Sequence, residues 1–534
     1  MEKEIKGQKT KFLILPLIFL MMAQIGTTTD NVSLGISTMA LVDSLKVSIA
    51  EVQLANVIYA TCAGSFMIIG GMLGIKIGWK KNFRLGALFC AIGELAVALA
   101  PNIFILTWVG RVLVGIGGSL LIPSVLGIIP GLYKGKDRAV AFGAIGTAIG
   151  LANLIPLVIG YVIDALGWRV VFGCMAIYFA IIFFGTMKMP EVEKSERKVT
   201  MDIKGAIMAA VALFMLMIGL SKVSVWGLLE PINAPFTILG ISPVLPMVFL
   251  GIILLIVLVF MEKSVEEKTG SALLPQSFIK TKQVRTGVLG LFLIFFCMGG
   301  YGLVVNPYLQ IAGGFNATML GVATVVMAIP TAIVSTALPK YFSNISVRTV
   351  MRVGIIGMAV SSFCMGISLE TNGVNAIFWV GFILSGACQG IIAATAPNIV
   401  ASAVNARDAQ QSSGVQATSR NVGKSVGIAL LGSIMLFFLS SSMQSTIADS
   451  KNLTPETKQI MKAEQSFEFS TDDAFVAKVS EKVTNKDDIQ ELKKINAEER
   501  KTTAQMTIYI MGAISLLFMF GTKNIPHHLD EKEA

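Results

Sequence analysis

Residues 24–35, QIGTTTDNVSLG, place a carboxylate inside an otherwise apolar N-terminal run. An acid facing lipid at such a depth costs about 3 kcal/mol or more, so intramembrane carboxylates usually mark ion pathways. Read as a helix, Ala23, Gly26, Thr27, Asp30, Ser33 and Ser37 share one face of small and polar residues, while Met21, Ile25, Val32 and Ile36 lie opposite. Asp30 is therefore expected to face the interior of a helix bundle. Two more ionisable groups lie in the same half: Glu94 in CAIGELAVALAPN and Arg111 in LTWVGRVLVGIGGSLLIP. A carboxyl group moved between a dry environment and contact with a guanidinium binds and releases a proton, which is the chemistry of proton coupling. The structural alternatives are an Asp30 that only hydrogen-bonds neighbouring threonines and a Glu94 solvated near the outer surface. Gly115 and Gly118 follow Arg111 at helical spacing and let a neighbouring helix approach closely.

Other chemistries find no support. RNVGKS, residues 420–425, has the ending of a phosphate loop, but Thr418 stands where that loop needs glycine and no strand precedes it. Gln416, Arg420 and Lys424 instead share one helix face, suited to an anionic substrate or lipid, or to snorkelling toward the membrane surface. The two histidines, His527 and His528, fall in a polar tail, and the six cysteines sit in apolar runs without metal-binding or redox spacing. No nucleophile–base pair is visible. An enzyme, a bound metal and an organic cofactor are not expected, leaving the proton as coupling ion.

The elements that must position these groups are legible from composition. Of 534 residues, 54% are apolar and only 14% charged, with a mean hydropathy of +0.73. A soluble chain carries about a quarter charged residues. Fourteen apolar runs are long enough to cross a bilayer, at about 12–37, 52–73, 83–100, 103–127, 139–164, 168–188, 204–221, 243–261, 284–311, 318–339, 349–369, 376–403, 413–441 and 504–521. Lysines and arginines gather before the first run and after the second, fourth, sixth, eighth and tenth, from Lys9 and Lys11 to Lys340 and Arg348. By the positive-inside rule both termini are expected in the cytoplasm. The net charge of +10 reflects these loops rather than nucleic-acid binding. The spacing predicts an N-terminal six-helix bundle over 1–190, a charged linker and two extra helices over 191–265, and a C-terminal six-helix bundle over 266–534. The polar segment 442–503 is expected on the outer side, as a lid or, on the simpler reading, a solvated hairpin.

Several stretches resemble the major facilitator superfamily, specifically its fourteen-helix branch of drug:proton antiporters. GRVLVGIGGSLLIPS is similar to the family's fourth-helix motif, with Arg111 at the position linked to proton coupling. GGMLGIKIGWKK, containing Gly71, Gly78 and Lys80, resembles the cytoplasmic loop motif after the second helix, although Ile75 replaces its aspartate. IPLVIGYVIDALGWRVVF resembles the antiporter motif, keeping Pro156 and Gly160 but losing two glycines. NPYLQIAGGFNATMLGVATVVMAIP is similar to the junction of helices nine and ten. SSGVQATSRNVGKSVGIALLGSI is similar to the thirteenth helix, with Arg420 at its arginine. In the first helix the family carries an acid before its paired threonines. Gly26 stands there, and Asp30, one turn on, is expected to replace it.

The resemblance implies an all-α membrane protein of the major facilitator fold, with two six-helix bundles, two additional helices and alternating access to a midplane cavity. Asn31, Gln310, Gln416 and Arg420 are the candidate cavity residues. The expected function is proton-coupled export of hydrophobic or amphiphilic drug-like compounds across the plasma membrane. The alternatives are a proton-linked carrier of one metabolite, such as an organic or bile-type acid, and a non-transporting membrane sensor or scaffold. Oligomeric state is not legible.

Overall fold

The computed structural model describes residues 13–527, apart from 48, 153, 193–201, 232, 233, 235, 270, 271, 273, 274, 316, 343, 405, 463, 465, 466 and 468. Each of the fourteen apolar runs carries a helix. We number these α1 (Ile14–Ile36), α2 (Ile49–Ser65, then Met67–Ile77), α3 (Trp79–Ala98), α4 (Ile103 to Leu132), α5 (Gly135–Ala152, then Ile155–Leu166), α6 (Trp168–Gly185) and α7 (Ile203–Trp226). The rest are α8 (Val244–Thr269), α9 (Lys282 to Ile311), α10 (Ala317–Tyr341), α11 (Val347–Ile367), α12 (Ala376–Ser402), α13 (Ala406–Asp449) and α14 (Lys486–Leu517). Among the described residues, ten helices are long and apolar enough to cross a membrane, or eleven when α2, bent by 47°, is taken as one span. The helices α1, α3 and α7 fill the remaining predicted runs. This is a multi-span membrane protein, helical apart from one short hairpin in which Leu369–Glu370 pairs with Gly373–Val374.

Three local breaks serve the packing. Leu106–Arg111 winds as a π-helix, which ends at Arg111 and sets the direction of that side chain. A second π-helical turn, Tyr301–Val305, interrupts α9. In α5 the helix is interrupted before Ile155, and Pro156 starts the second segment, where its missing N–H costs nothing. Between α2 and α3 the chain turns at Gly78, whose φ of +97° suits a residue without Cβ.

Side chains of α1 to α6 build most of one apolar core around Trp79, Phe83, Phe142 and Phe179, which Val284, Val400 and Ala417 of the second half join. Those of α9 to α12 and α14 build another around Phe296, Tyr301, Phe378 and Phe382. Two seams join the groups. At the first, α5 lies along α10, with Gly146 against Ser335 and Gly150 against Ala332. At the second, an added Cβ at Gly71 of α2 would stand 2.9 Å from the Gly414 Cα of α13. The two extra helices cover this second seam, since Ala206, Ala209 and Leu213 of α7 pack with Ile68 and Met72 of α2, and Leu258 of α8 joins them. The outer side of α8 stays apolar and exposed, as at Phe249 and Phe260.

The segment 442–503 is more than a solvated hairpin. Helix α13 has 44 residues, about 66 Å, which exceeds the hydrocarbon thickness of about 30 Å. Its projecting end packs with the short helices Pro455–Lys462 and Asp472–Ser480 and the start of α14. Leu439, Met443, Leu453, Phe475, Val479 and Leu492 form a core of their own there. The Asp488 carboxylate accepts from the Thr454 hydroxyl at 2.5 Å and the Thr457 hydroxyl at 2.6 Å. Arg500 donates to Asp472 Oδ1 at 2.8 Å and the Ser470 carbonyl at 3.0 Å.

Candidate functional site: a buried ion pair and the seam beside it

Asp30 and Arg111 meet inside the first group of helices. Arg111 Nη1 donates to Asp30 Oδ1 at 2.5 Å, and both side chains are fully buried. Tyr59 of α2 lies under the guanidinium, with its ring centroid 4.4 Å away. The Tyr59 hydroxyl points back to the Thr27 carbonyl of α1 at 3.4 Å. Glu94 of α3 is also fully buried, close enough for its charge to act on both Asp30 and Arg111. Its carboxyl lies beside that of Asp30, so the two acids and the guanidinium share one dry site. Glu94 is thus a member of the cluster, and the outer-surface placement considered from sequence does not hold. Asp30 faces inward, toward Arg111 rather than Thr27 and Thr28, whose hydroxyls turn back to carbonyls of their own helix.

The geometry also explains Gly26. A Cβ there would lie 2.9 Å from Tyr178 and 3.0 Å from Phe179, so rings of α6 occupy the space an acid would need. Behind α1 the Tyr178 ring borders an apolar cleft of about 280 Å³, lined also by Ile25, Ile159 and Met175 among others.

On the other side of α1 the chain meets its second half. Arg420 of α13 is 5% exposed. It donates from Nη1 to Gln24 Oε1 at 3.1 Å and lies 5.6 Å from the Phe295 ring. Gln416, one turn away, donates to the Ser412 hydroxyl at 2.9 Å and is buried. Gln310, near the end of α9, is exposed and stands apart from these groups. The Asn31 side chain lies outside the described residues.

The motif residues take distinct places. A Cβ on Gly115 would meet Cys62 Cβ at 2.7 Å and the Tyr59 carbonyl at 2.9 Å, so this glycine admits α2 to the Arg111 cluster. Gly118 is less confined, with the Tyr59 hydroxyl 3.8 Å away, and Gly160 faces open space. Lys80 pairs with Glu191 at 3.3 Å, on the same face where Ile75 has replaced the motif's aspartate. Arg138 bridges the halves there by donating to Asn398 at 3.2 Å.

Sequence reasoning missed Tyr59, Gln24 and Asn82. Asn82 is a buried hub that donates to the Gly70 carbonyl and the Ser124 hydroxyl, each at 2.9 Å. A polar residue opening an apolar run was the available signal for Asn82. Gln24 stood inside the stretch carrying Asp30, but its partner lies 396 residues away. All six cysteines are free thiols. Among the described residues no group of His, Cys, Asp and Glu could hold a metal ion.

Two helical groups meeting along two seams, with a buried ion pair in one of them, are the arrangement of a membrane transporter. Residues 17–428 match the Major Facilitator Superfamily, and the chain belongs to that family. It is 26% identical over 440 residues to a probable actinorhodin transporter of Streptomyces coelicolor, covering 80% of this chain and 73% of that protein. It is 23% identical to the tetracenomycin C resistance and export protein of Streptomyces glaucescens, covering 76% and 73%. A quinolone resistance protein, NorB, of Staphylococcus aureus is 24% identical, covering 74% and 82%. Among solved structures, the proton:xylose symporter XylE superposes with a TM-score of 0.59 at 11% identity, covering 98% and 99% of the two chains. The human organic anion transporter MFSD10 also gives 0.59, at 10% identity, covering 96% and 98%. Family and fold are those of a transporter rather than an enzyme.

Proposed function

We propose that this protein exports hydrophobic or amphiphilic drug-like compounds from the cytoplasm in exchange for protons. The observation that carries the coupling is the buried cluster of Asp30, Glu94 and Arg111. Two carboxyls and one guanidinium in a dry site balance in charge only when one carboxyl holds a proton. Separating Asp30 from Arg111 as the helices shift changes which group can hold it. That makes the cluster a device for taking up a proton on one side and releasing it on the other. The driving force is adequate, since each pH unit supplies about 1.4 kcal/mol per proton. A potential of 100 mV adds about 2.3 kcal/mol per charge.

The export direction rests on a relative named as a resistance and export protein and another named as a resistance protein. The lysine and arginine loops put both termini in the cytoplasm and segment 442–503 outside. The candidate substrate contacts are Gln416 and Arg420 at the seam between the two bundles, together with Asn31 and Gln310, and what supports them is the burial of Gln416 and Arg420 where the two halves meet. No organic cofactor is needed, since the proton gradient drives the cycle.

Asp30→Asn in everted membrane vesicles tests this. The variant should reach the membrane at the parental level and lose proton-driven dye efflux by about tenfold or more, the loss of roughly 1.4 kcal/mol of coupling. Unchanged efflux would refute the role of Asp30.

A further inference from the structure

A guanidinium in a dry interior is costly unless an opposing charge or several acceptors meet it. The chain meets that need at two of its buried arginines. Arg111 is paired with Asp30, and Arg500, 2% exposed, is paired with Asp472 and also bonds the Ser470 carbonyl. Arg420 is treated differently. Among the described residues its one hydrogen-bond acceptor is the neutral Gln24 Oε1 at 3.1 Å and it forms no ion pair, and that missing charge is what sets it apart, since an unpartnered Nε is common to all three arginines. One turn before it on the same face, Gln416 Oε1 is likewise buried without a partner. This deficit lies at the seam, since Gln24 belongs to the first half and Arg420 to the second.

We infer that Arg420 is the binding point for the carboxylate of an amphiphilic anionic or zwitterionic substrate, and that Gln24 is the placeholder that occupies the guanidinium when the site is empty. The inference rests on the export reading and names the class of compound exported. A guanidinium fork matches a carboxylate with two parallel hydrogen bonds, each about twice as strong as a neutral one. An incoming carboxylate therefore outcompetes the single amide oxygen of Gln24. Phe295, already against the guanidinium, offers an apolar face to the body of the same molecule. Gln24 precedes Asp30 by six residues, about 9 Å along α1. Release of Gln24 by substrate and separation of Asp30 from Arg111 thus act on one rigid helix, which ties the substrate's charge to the proton's.

The probes are rhodamine B, which carries a free carboxylate, and its ethyl ester, which has the same ring system and lacks it. Binding to the purified full chain is read by fluorescence anisotropy, and efflux of each dye in vesicles. The parental protein should bind the acid more tightly than the ester. Arg420→Gln should weaken acid binding by at least about tenfold, the loss of a charge-assisted hydrogen bond, and ester binding by less than about twofold. Arg420→Lys should restore part of the acid affinity, and Gln24→Ala should tighten acid binding several-fold. Equal losses for both dyes, or an unaffected acid in a folded Arg420→Gln variant, would overturn the inference. Should that variant aggregate, the parental comparison decides alone: a protein that binds the ester as well as or better than the acid has no carboxylate site. Efflux of the ester but not the acid refutes only this site, whereas failure to move either dye counts against the export reading itself.

Discussion

Removing one member of a buried ion pair leaves a charge in low dielectric with no partner, which costs about 3–5 kcal/mol. Arg111→Ala should therefore lower the thermal stability of the purified protein more than Asp30→Asn, because it strands two carboxyls where the latter strands one guanidinium that keeps the Glu94 charge nearby. The comparison is readable as melting temperatures in detergent. Tyr59 separates packing from hydrogen bonding at the same place. Tyr59→Phe keeps the ring under Arg111 and gives up only a long contact to the Thr27 carbonyl, so efflux should fall by less than about twofold. Tyr59→Leu removes the cation–π contact as well, and stability should fall by about 1–2 kcal/mol.

Between elements, the close approach of α2 and α13 is set by the absence of side chains at Gly71 and Gly414. Backbone stands opposite backbone there, so nothing flexible can yield to an added methyl group. Gly71→Val should hold this seam apart, with expression retained and dye efflux reduced by about tenfold or more, as expected for a misplaced mobile element. Full efflux by Gly71→Val would show that the two halves need not close at this point. The pair α7 and α8 packs over the same seam with small residues inward and large apolar ones outward.

For the whole molecule, the domain built from 442–503 carries an apolar core separate from the two in the membrane. Truncating a buried phenylalanine costs about 3–5 kcal/mol, so Phe475→Ala should open this domain locally while the transmembrane cores stay intact. Protease added to intact cells should then cut within 450–485 in the variant, leave the parental protein resistant, and leave dye efflux within about twofold. Cleavage only from the cytoplasmic side would reverse the assigned orientation.

Hydropathy and loop charge are local sums along the chain, so the sequence by itself determined the helical membrane class, the positions of the fourteen runs and the inward face of Asp30. Helical spacing likewise puts Arg111 on one face with Gly115 and Gly118, and the structure buries that arginine against Asp30. Partnership was not legible in this way. The Asp30–Arg111 pair spans 81 residues and the Arg420–Gln24 bond 396, and each depends on which helix faces meet. The polar stretch 442–503 looked like a solvated hairpin for a related reason: its core draws Leu439 and Met443 from the end of a membrane helix, so no window within the stretch contains enough apolar surface. Which charges are paired, and which guanidinium is left for something else, was decided only by tertiary packing, since burial and distance are properties of the assembled helices.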